Sequence, residues 1–304
     1  MADPVIHVRG LRKSYGELEA VRGIDLEVAR GEIFAFVGPN GAGKTTTVEI
    51  LEGYRQRSEG EATVLGIDPA SADRAWRERV GIVLQECRMQ RELTVRETVK
   101  QYAGYYPRSR PVDETIELVG LSQKADARAG KLSGGQQRRL DVALALIGDP
   151  ELLFLDEPTT GFDPTARRQA WVMIASLREL GKTVFLTTHY MEEAQELADR
   201  VAIIARGRII AEGPPDELGG ADDSVEVSFR LPPDVKIDEL PGAVRTAVQK
   251  SNGLVAMHTD RPVETLHELT GWALERGVSL PALQIRRPSL EDVFLRLTDE
   301  VDRT

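Results

Sequence analysis

One cysteine, Cys87, stands among 304 residues, so the chain has no internal disulfide and no thiolate-rich zinc site. The four histidines, His7, His189, His258 and His267, are far apart and lack the paired spacing of metal ligands. Aromatic residues make up only 5% of the sequence. Positive charge is in deficit, with 39 Lys and Arg against 49 Asp and Glu, a net charge of −10. Residues 221–304 share it, with 10 basic and 15 acidic side chains. Binding to DNA, RNA or an anionic membrane surface rests on neutralising phosphates, so no nucleic-acid partner is expected. Long hydrophobic runs are missing too. Val142–Ile147 and Val201–Ala205 fall far short of the ~20 residues of a membrane span. Met1–Val5 has no basic stretch leading into an apolar run, so no signal peptide is expected. The expectation is a soluble, cytosolic chain that acts at a membrane only through a partner.

What is present is a 41% hydrophobic, 29% charged chain, long enough for two domains at roughly 100–200 residues each. Ile24, Leu26 and Val28 alternate with Asp25, Glu27 and Ala29, the period of a half-buried strand. Glu32–Val37 is almost wholly apolar, as a strand covered on both faces is. A helix is predicted over Thr46–Tyr54, with Val48, Leu51 and Tyr54 to one side. Further buried strands are predicted at Val80–Leu84, Leu152–Leu155 and Thr183–Thr187, with a helix over Ala166–Leu180 between the last two. Buried strands alternating with helices predict a parallel α/β sheet. Residues 92–147 look helical instead, with Val95, Val99, Tyr102, Ala103 and Tyr106 on one stripe and a second helix that begins after Leu132-Ser-Gly-Gly135 and runs through Leu140 and Leu144 toward Gly148-Asp-Pro150. Past Gly213-Pro-Pro215 the composition shifts. Val225, Val227 and Phe229 predict a strand with one wet face, and Asp260 and Pro262 open a helix carrying Leu266, Leu269 and Ala273. Leu280–Ile285 predicts another strand. Ser289 and Asp292 form a capping pair for a last helix bearing Leu290, Val293, Phe294 and Leu297. That is a small α+β domain.

Gly38-Pro39-Asn40-Gly41-Ala42-Gly43-Lys44-Thr45 fits G-x-x-x-x-G-K-[ST] between a predicted strand and a predicted helix. The glycines let backbone N–H groups wrap a phosphate, and the helix N-terminus adds partial positive charge. Lys44 would reach the β- and γ-phosphates, Thr46 continues the cradle, and the Thr45 hydroxyl would ligate Mg²⁺. Leu152–Leu155 ends in Asp156-Glu157, which places Asp156 beside the phosphate loop to hold Mg²⁺, with Glu157 suited to activate a water. An acidic turn before Pro158 or a solvated glycine-rich loop would explain each piece alone; together they point to a nucleotide.

Leu132-Ser133-Gly134-Gly135-Gln136, twenty residues before Asp156, narrows the choice. Here the sequence closely resembles the ABC (ATP-binding cassette) ATPases, and the other marks follow in order: Tyr15, Gln85, Thr160-Gly-Phe-Asp163 and His189. The resemblance covers residues 1 to about 218. It implies that Tyr15 stacks on adenine, that Gln85 touches Mg²⁺ and that His189 contacts the γ-phosphate and holds Glu157 and water in line. It further implies that Ser133, Gly134, Gly135, Gln136 and Asp163 serve the nucleotide across a dimer interface, with two ATPs between head-to-tail chains. Phe162 stands where relatives usually carry leucine. Arg138, Arg139, Arg167 and Arg168 read as solvated helix faces.

Thr159–Pro164, Thr187–Glu193 and Pro288–Leu295 resemble the daunorubicin/doxorubicin exporter branch, whose ATPases pair with a separate membrane subunit. The implied fold is an α/β P-loop NTPase cassette with a parallel core, an N-terminal antiparallel part and a helical subdomain at about 87–150, spanning 1–218. An α+β accessory domain spans 219–304. The implied role is a Mg-dependent ATPase on the cytoplasmic side of the membrane, powering efflux of a drug, antibiotic or lipid-like molecule through a permease. The alternatives are a soluble ABC protein acting on DNA or ribosomes, which the length and acidity oppose, and a regulatory ATPase not coupled to transport.

Overall fold

Ile33–Val37 (β3) is apolar at all five positions and buried at all five. In a computed structural model of the chain, which describes residues 4–84, 91–219, 225–232, 235–244, 248–249, 254–286 and 289–295, the cause is its central place. Parallel strands lie on both sides of it: Thr183–Thr188 (β7) and Arg200–Ala205 (β8). Both flanks are occupied and both faces covered, so no position on β3 meets water. With Val80–Val83 (β5), Leu152–Asp156 (β6) and Arg208–Gly213 (β9), the sheet order is β5-β6-β7-β3-β8-β9, parallel except for the antiparallel β8–β9 pair. The antiparallel part is a second sheet, β2-β1-β4, from Ile6–Tyr15 (β1), Leu18–Val28 (β2) and Glu59–Val64 (β4). Gly60 sits where β1 passes closely: a Cβ there would lie 2.3 Å from the Gly10 carbonyl oxygen.

The scarce aromatics are concentrated. Phe185 on β7 stacks on Phe34 at 5.6 Å between ring centres, with Phe154 at 5.6 Å and Phe36 at 5.8 Å. All four are buried in one core with Leu51, Val64 and Trp76. Such pairs add about 0.5–1.5 kcal/mol each beyond area burial.

Helix α1 (Lys44–Leu51) follows β3, and the short α2 (Arg74–Arg77) is capped by Asp73, whose side chain accepts from the Trp76 amide at 2.8 Å. The predicted helix ends sooner than its apolar spacing suggests: Tyr54 lies beyond α1 and is 68% exposed. The helical segment contains α3 (Val95–Ala103), α4 (Val112–Leu118) and α5 (Gly134–Leu146). A Thr94–Glu97 capping box starts α3, which buries Val95 and Val99; the rest of the predicted stripe is not core, for Tyr102 and Tyr106 keep contact with solvent. Next come α6 (Pro164–Glu179), α7 (Met191–Leu197) and α8 (Pro215–Gly219). Among the described residues, no helix is long and apolar enough to cross a membrane.

The chain divides into two units, Met1–Pro215 and Asp216–Thr304. The second has its own core of Val227, Phe229, Leu240, Val255, Met257 and Leu269. Its sheet runs β11-β12-β10-β13 through Val225–Arg230 (β10), Val248–Gln249 (β11), Leu254–Thr259 (β12) and Gln284–Arg286 (β13), with α9 over Pro262–Glu275. The predicted wet face of β10, residues 224, 226, 228 and 230, is corrected in part: Glu226 and Ser228 are buried as well, Arg230 is exposed, and Ser224 lies outside the described residues. Strands pair on both sides of β10, and Arg286 on β13 reaches Glu226 at 3.1 Å. The strand predicted over Leu280–Ile285 shortens to β13, because Ala282 adopts a left-handed turn conformation, φ 57°. Ser289 and Asp292 cap residues 290–295, each bonding the other's amide. Leu297 lies outside the described residues.

Candidate nucleotide site

Strand register brings the predicted site residues to one edge. Val37 on β3 lies beside Thr188 on β7, and Thr187 lies beside Asp156 on β6. The phosphate loop, His189 and Glu157 each follow the last residue of one of these neighbouring strands. They leave the carboxyl edge of the sheet together, where parallel α/β folds place ligands.

The loop's glycines are required sterically. A Cβ on Gly38 would sit 2.3 Å from the Ile204 carbonyl oxygen, and one on Gly43 2.6 Å from that of Ala20. Gly43 also has φ +108°, outside the range of ordinary L residues, and is the N-cap of α1. No side chain caps α1 and its first turn holds no acid, so its leading amides and partial positive charge face the loop interior. Thr45 is exposed at this mouth, whereas Lys44 is only 6% exposed. The Lys44 ammonium donates to the carbonyl oxygens of Gly38 at 2.7 Å and Pro39 at 3.1 Å. Burial lowers its pKa, and the charges of Glu157 and Asp156 act in the opposite direction.

Across from the loop, Thr187 donates its hydroxyl to Asp156. Glu157 has φ 47°, a left-handed conformation rare for a side chain of its size. Its amide donates to the Thr187 carbonyl at 3.0 Å. Its carboxylate is held at both oxygens: Oε1 lies 3.1 Å from His189 Nδ1, and Oε2 accepts from the Thr160 hydroxyl at 3.1 Å. The His189 ring packs on Tyr190 at 4.1 Å, and Tyr190 lies under the Arg167 guanidinium at 4.6 Å. Beneath, the buried carboxyl of Glu193 accepts from Thr159 at 2.8 Å and from the Trp171 indole at 3.1 Å. Burial raises the Glu193 pKa.

Ser133 caps α5 through a reciprocal box with Gln136, leaving Ser133 and Gly134 exposed at the helix start. Gly135 allows close packing on α6: a Cβ there would lie 3.3 Å from Ala166 Cβ and 3.8 Å from the Phe162 ring. Asp163 caps α6 by accepting from the amides of Thr165 and Ala166, both at 2.9 Å. Among the described residues, no hydrogen bond or ion pair joins 133–136 to the phosphate loop. Tyr15, 40% exposed at the end of β1, has Lys13 Nζ and Arg55 Cζ each 5.2 Å from its ring centre. Gln85 and Cys87 lie outside the described residues.

Arg138 corrects the reading of a solvated helix face. It is 8% exposed, and its guanidinium donates to the carbonyls of Leu84 and Asp156 and, at 3.5 Å, of Glu157. The second half of α5 is buried all round, so a residue in its middle has no wet face to take. Arg168 is exposed as expected, but Arg139 and Arg167 are half-buried. The sequence does not single out Thr160, Thr187 or Glu193, and gives Arg138 only as a solvated face. The first three lie within the recognised runs, but nothing in a lone threonine or a Glu-Glu pair marks which carboxylate it will meet.

The comparisons follow the same division. A family model for ABC transporters matches residues 21–160, and one for the C-terminal domain of ABC transporter domain-containing proteins matches residues 225–289. Nod factor export ATP-binding protein I of Rhizobium sp. (strain N33) is 41% identical over 98% of this chain and 98% of its own length. Daunorubicin resistance ATP-binding protein DrrA3 of Streptomyces coeruleorubidus is 40% identical over 99% and 98%. Among solved structures, cbiO1 from Clostridium perfringens, part of the ABC transporter complex cbiONQ, superposes with a TM-score of 0.63 and 29% identity, covering 71% of this chain and 90% of its own. A dimeric post-hydrolysis structure of the ATP-binding cassette MJ0796, bound to ADP and phosphate, gives 0.61 and 26%, covering 69% and 98%. With its phosphate loop, acidic strand end and helix-capping Ser-Gly-Gly each formed as described, the chain belongs to the ABC transporter family, as an ATP-binding protein of the export type.

Proposed function

We propose that this chain hydrolyses ATP with Mg²⁺ at the edge formed by Gly38–Thr46, Asp156, Glu157 and His189, and that two copies do so head to tail beneath a separate permease. The observation that carries this reading is the Glu157 carboxylate. It stands one residue past Asp156 and is fixed by His189 and Thr160 on the edge from which the phosphate loop departs. A phosphate in the loop would meet the α1 amides and draw the Lys44 ammonium from the Gly38 and Pro39 carbonyls. Glu157 would accept a proton from the attacking water, and His189 would keep carboxylate and water aligned.

Mg²⁺ fits the donors at this edge. Asp156 and the exposed Thr45 hydroxyl are hard oxygens, and a set this sparse suits an ion that keeps waters and substrate phosphates as its other ligands. Among the described residues no cluster of three His, Cys, Asp or Glu competes as an all-protein cage. Bound there, the ion would neutralise charge on the phosphates, and the family resemblance makes Gln85 a further ligand.

Ser133, Gly134, Gly135 and Gln136 would serve the γ-phosphate of the second copy, which suits the exposure of Ser133 and Gly134 and the lack of bonds from 133–136 to their own loop. Tyr15 would stack on adenine, and Asp163 would support the facing site from the start of α6. The relatives named for Nod factor export and daunorubicin resistance span almost the whole chain, which supports efflux of a drug, antibiotic or lipid-like molecule, with this chain on the cytoplasmic side. Residues 1–218 would be the motor and 219–304 an accessory unit.

Glu157→Gln tests the reading. It is expected to bind ATP, accumulate as a nucleotide-bound dimer in size-exclusion chromatography, and release phosphate about 100-fold more slowly or worse. Hydrolysis at the parent rate would remove Glu157 as the base. Co-purification with a multi-span membrane protein tests the transport half; full-rate hydrolysis with no such association would favour a regulatory ATPase.

A further inference from the structure

We propose that Arg138 is a positioning residue that ties the catalytic turn a chain uses itself to the Ser133-Gly134 helix start it lends to a second copy. This rests on the two-copy arrangement proposed above.

The geometry is specific. Asp156 and Glu157 contribute the carbonyls of the two peptides that flank the Glu157 Cα, and the Arg138 guanidinium donates to both. Glu157 holds φ 47°, a conformation that persists only where its surroundings over-determine it. Clamping the peptide on each side of that Cα is such a determination. The same guanidinium donates to the carbonyl of Leu84, the residue before Gln85. One buried cation therefore joins the end of β5, the turn after β6 and the body of α5.

Arg138 stands five residues beyond Ser133 on the same continuous helix, whose first turn is fixed by the Ser133–Gln136 box. A shift of the Glu157 turn must move this pin or break its bonds, and a shift of the pin carries the helix start with it. A guanidinium stays charged, so Arg138 itself acts through position and not by losing its proton. Lysine offers a point charge in place of a planar fork, so R138K keeps the charge and loses the simultaneous grip.

Mixed pairs of full-length chains test this. One chain carries Lys44→Ala and contributes only its Ser133 helix; the other carries Ser133→Arg and contributes its phosphate loop and Glu157. Their single intact site then reports R138K placed in either chain. Each placement is expected to lower kcat about 10-fold or more, with KM for ATP changed by less than about 3-fold. A loss only when R138K is in the chain supplying Glu157 would mean the arginine serves its own turn alone, and would overturn the link. So would no loss in either placement.

A measurement that leaves Arg138 in place covers the case in which R138K does not fold. Glu157→Gly relaxes the strained turn and is expected to change amide hydrogen exchange of residues 134–138 by about 3-fold or more; unchanged exchange overturns the proposal. If the Ser133→Arg chain alone hydrolyses ATP as fast as the mixed pair, it is the two-copy arrangement that fails.

Discussion

Glu157 occupies a backbone region that costs its side chain on the order of 1–3 kcal/mol, and it is held there by Thr187, Thr160, His189 and Arg138. His189 orients the carboxylate without being its only support. His189→Ala is therefore expected to slow phosphate release by about 100-fold in single-turnover assays, while a fluorescent ATP analogue still binds. Glu52 presents a different case. It lies 6% exposed at the end of α1, and burial, followed by the charges of Asp156 and Glu49, pushes its pKa from 4.5 to about 8. Unfolded, it loses its proton near 4.5; folded, it keeps it until about 8. Its contribution is thus fully present below 4.5 and is lost as pH rises toward 8. Glu52→Gln should flatten the fall in melting temperature across that window and leave the protein more stable at pH 8, on the order of 2 kcal/mol.

At the scale of the element, two helices begin with the same device and should answer differently to its loss. Thr94 caps α3 and Ser133 caps α5, each in a reciprocal box spanning four residues. Removing either hydroxyl costs about 1 kcal/mol of cap energy. Thr94→Ala should appear only in urea unfolding, with ATPase activity intact. Ser133→Ala should lose the same stability and also lower kcat, since that hydroxyl is proposed to face a phosphate. The sequence distinguishes these boxes poorly. Both read as polar residues before a helix, and only the Gly-Gly after Ser133 singles out the second. The predicted stripe of α3 fails past Val99 for a related reason: periodicity marks a face, not the length over which neighbours cover it.

For the whole molecule, the boundary near residue 215 separates two cores with no shared member. Removing residues 219–304 should leave a cassette that still binds nucleotide, checked by titration with a fluorescent ATP analogue. If the accessory unit braces the pair, the same truncation should weaken ATP-driven dimerisation of the Glu157→Gln chain in sedimentation velocity. Unchanged dimerisation would assign the unit another role.

Much of this protein is written locally. Gly38–Thr45, Ser133–Gln136 and the apolar runs ending at Val37, Asp156 and Thr188 state their conformations in a few adjacent residues. Turn glycines, caps and strand burial act over that range, so the fold class and the local form of the candidate phosphate site are legible. The same runs could not say which strands adjoin. Only the order β6-β7-β3 and its register set Asp156, Glu157 and His189 beside the loop. Nor could they say that Arg138 is buried against two distant backbones, that β10 is covered on both faces, or that Glu193 anchors Thr159 and Trp171. Those outcomes depend on contacts between segments many residues apart, and on burial that no single segment controls.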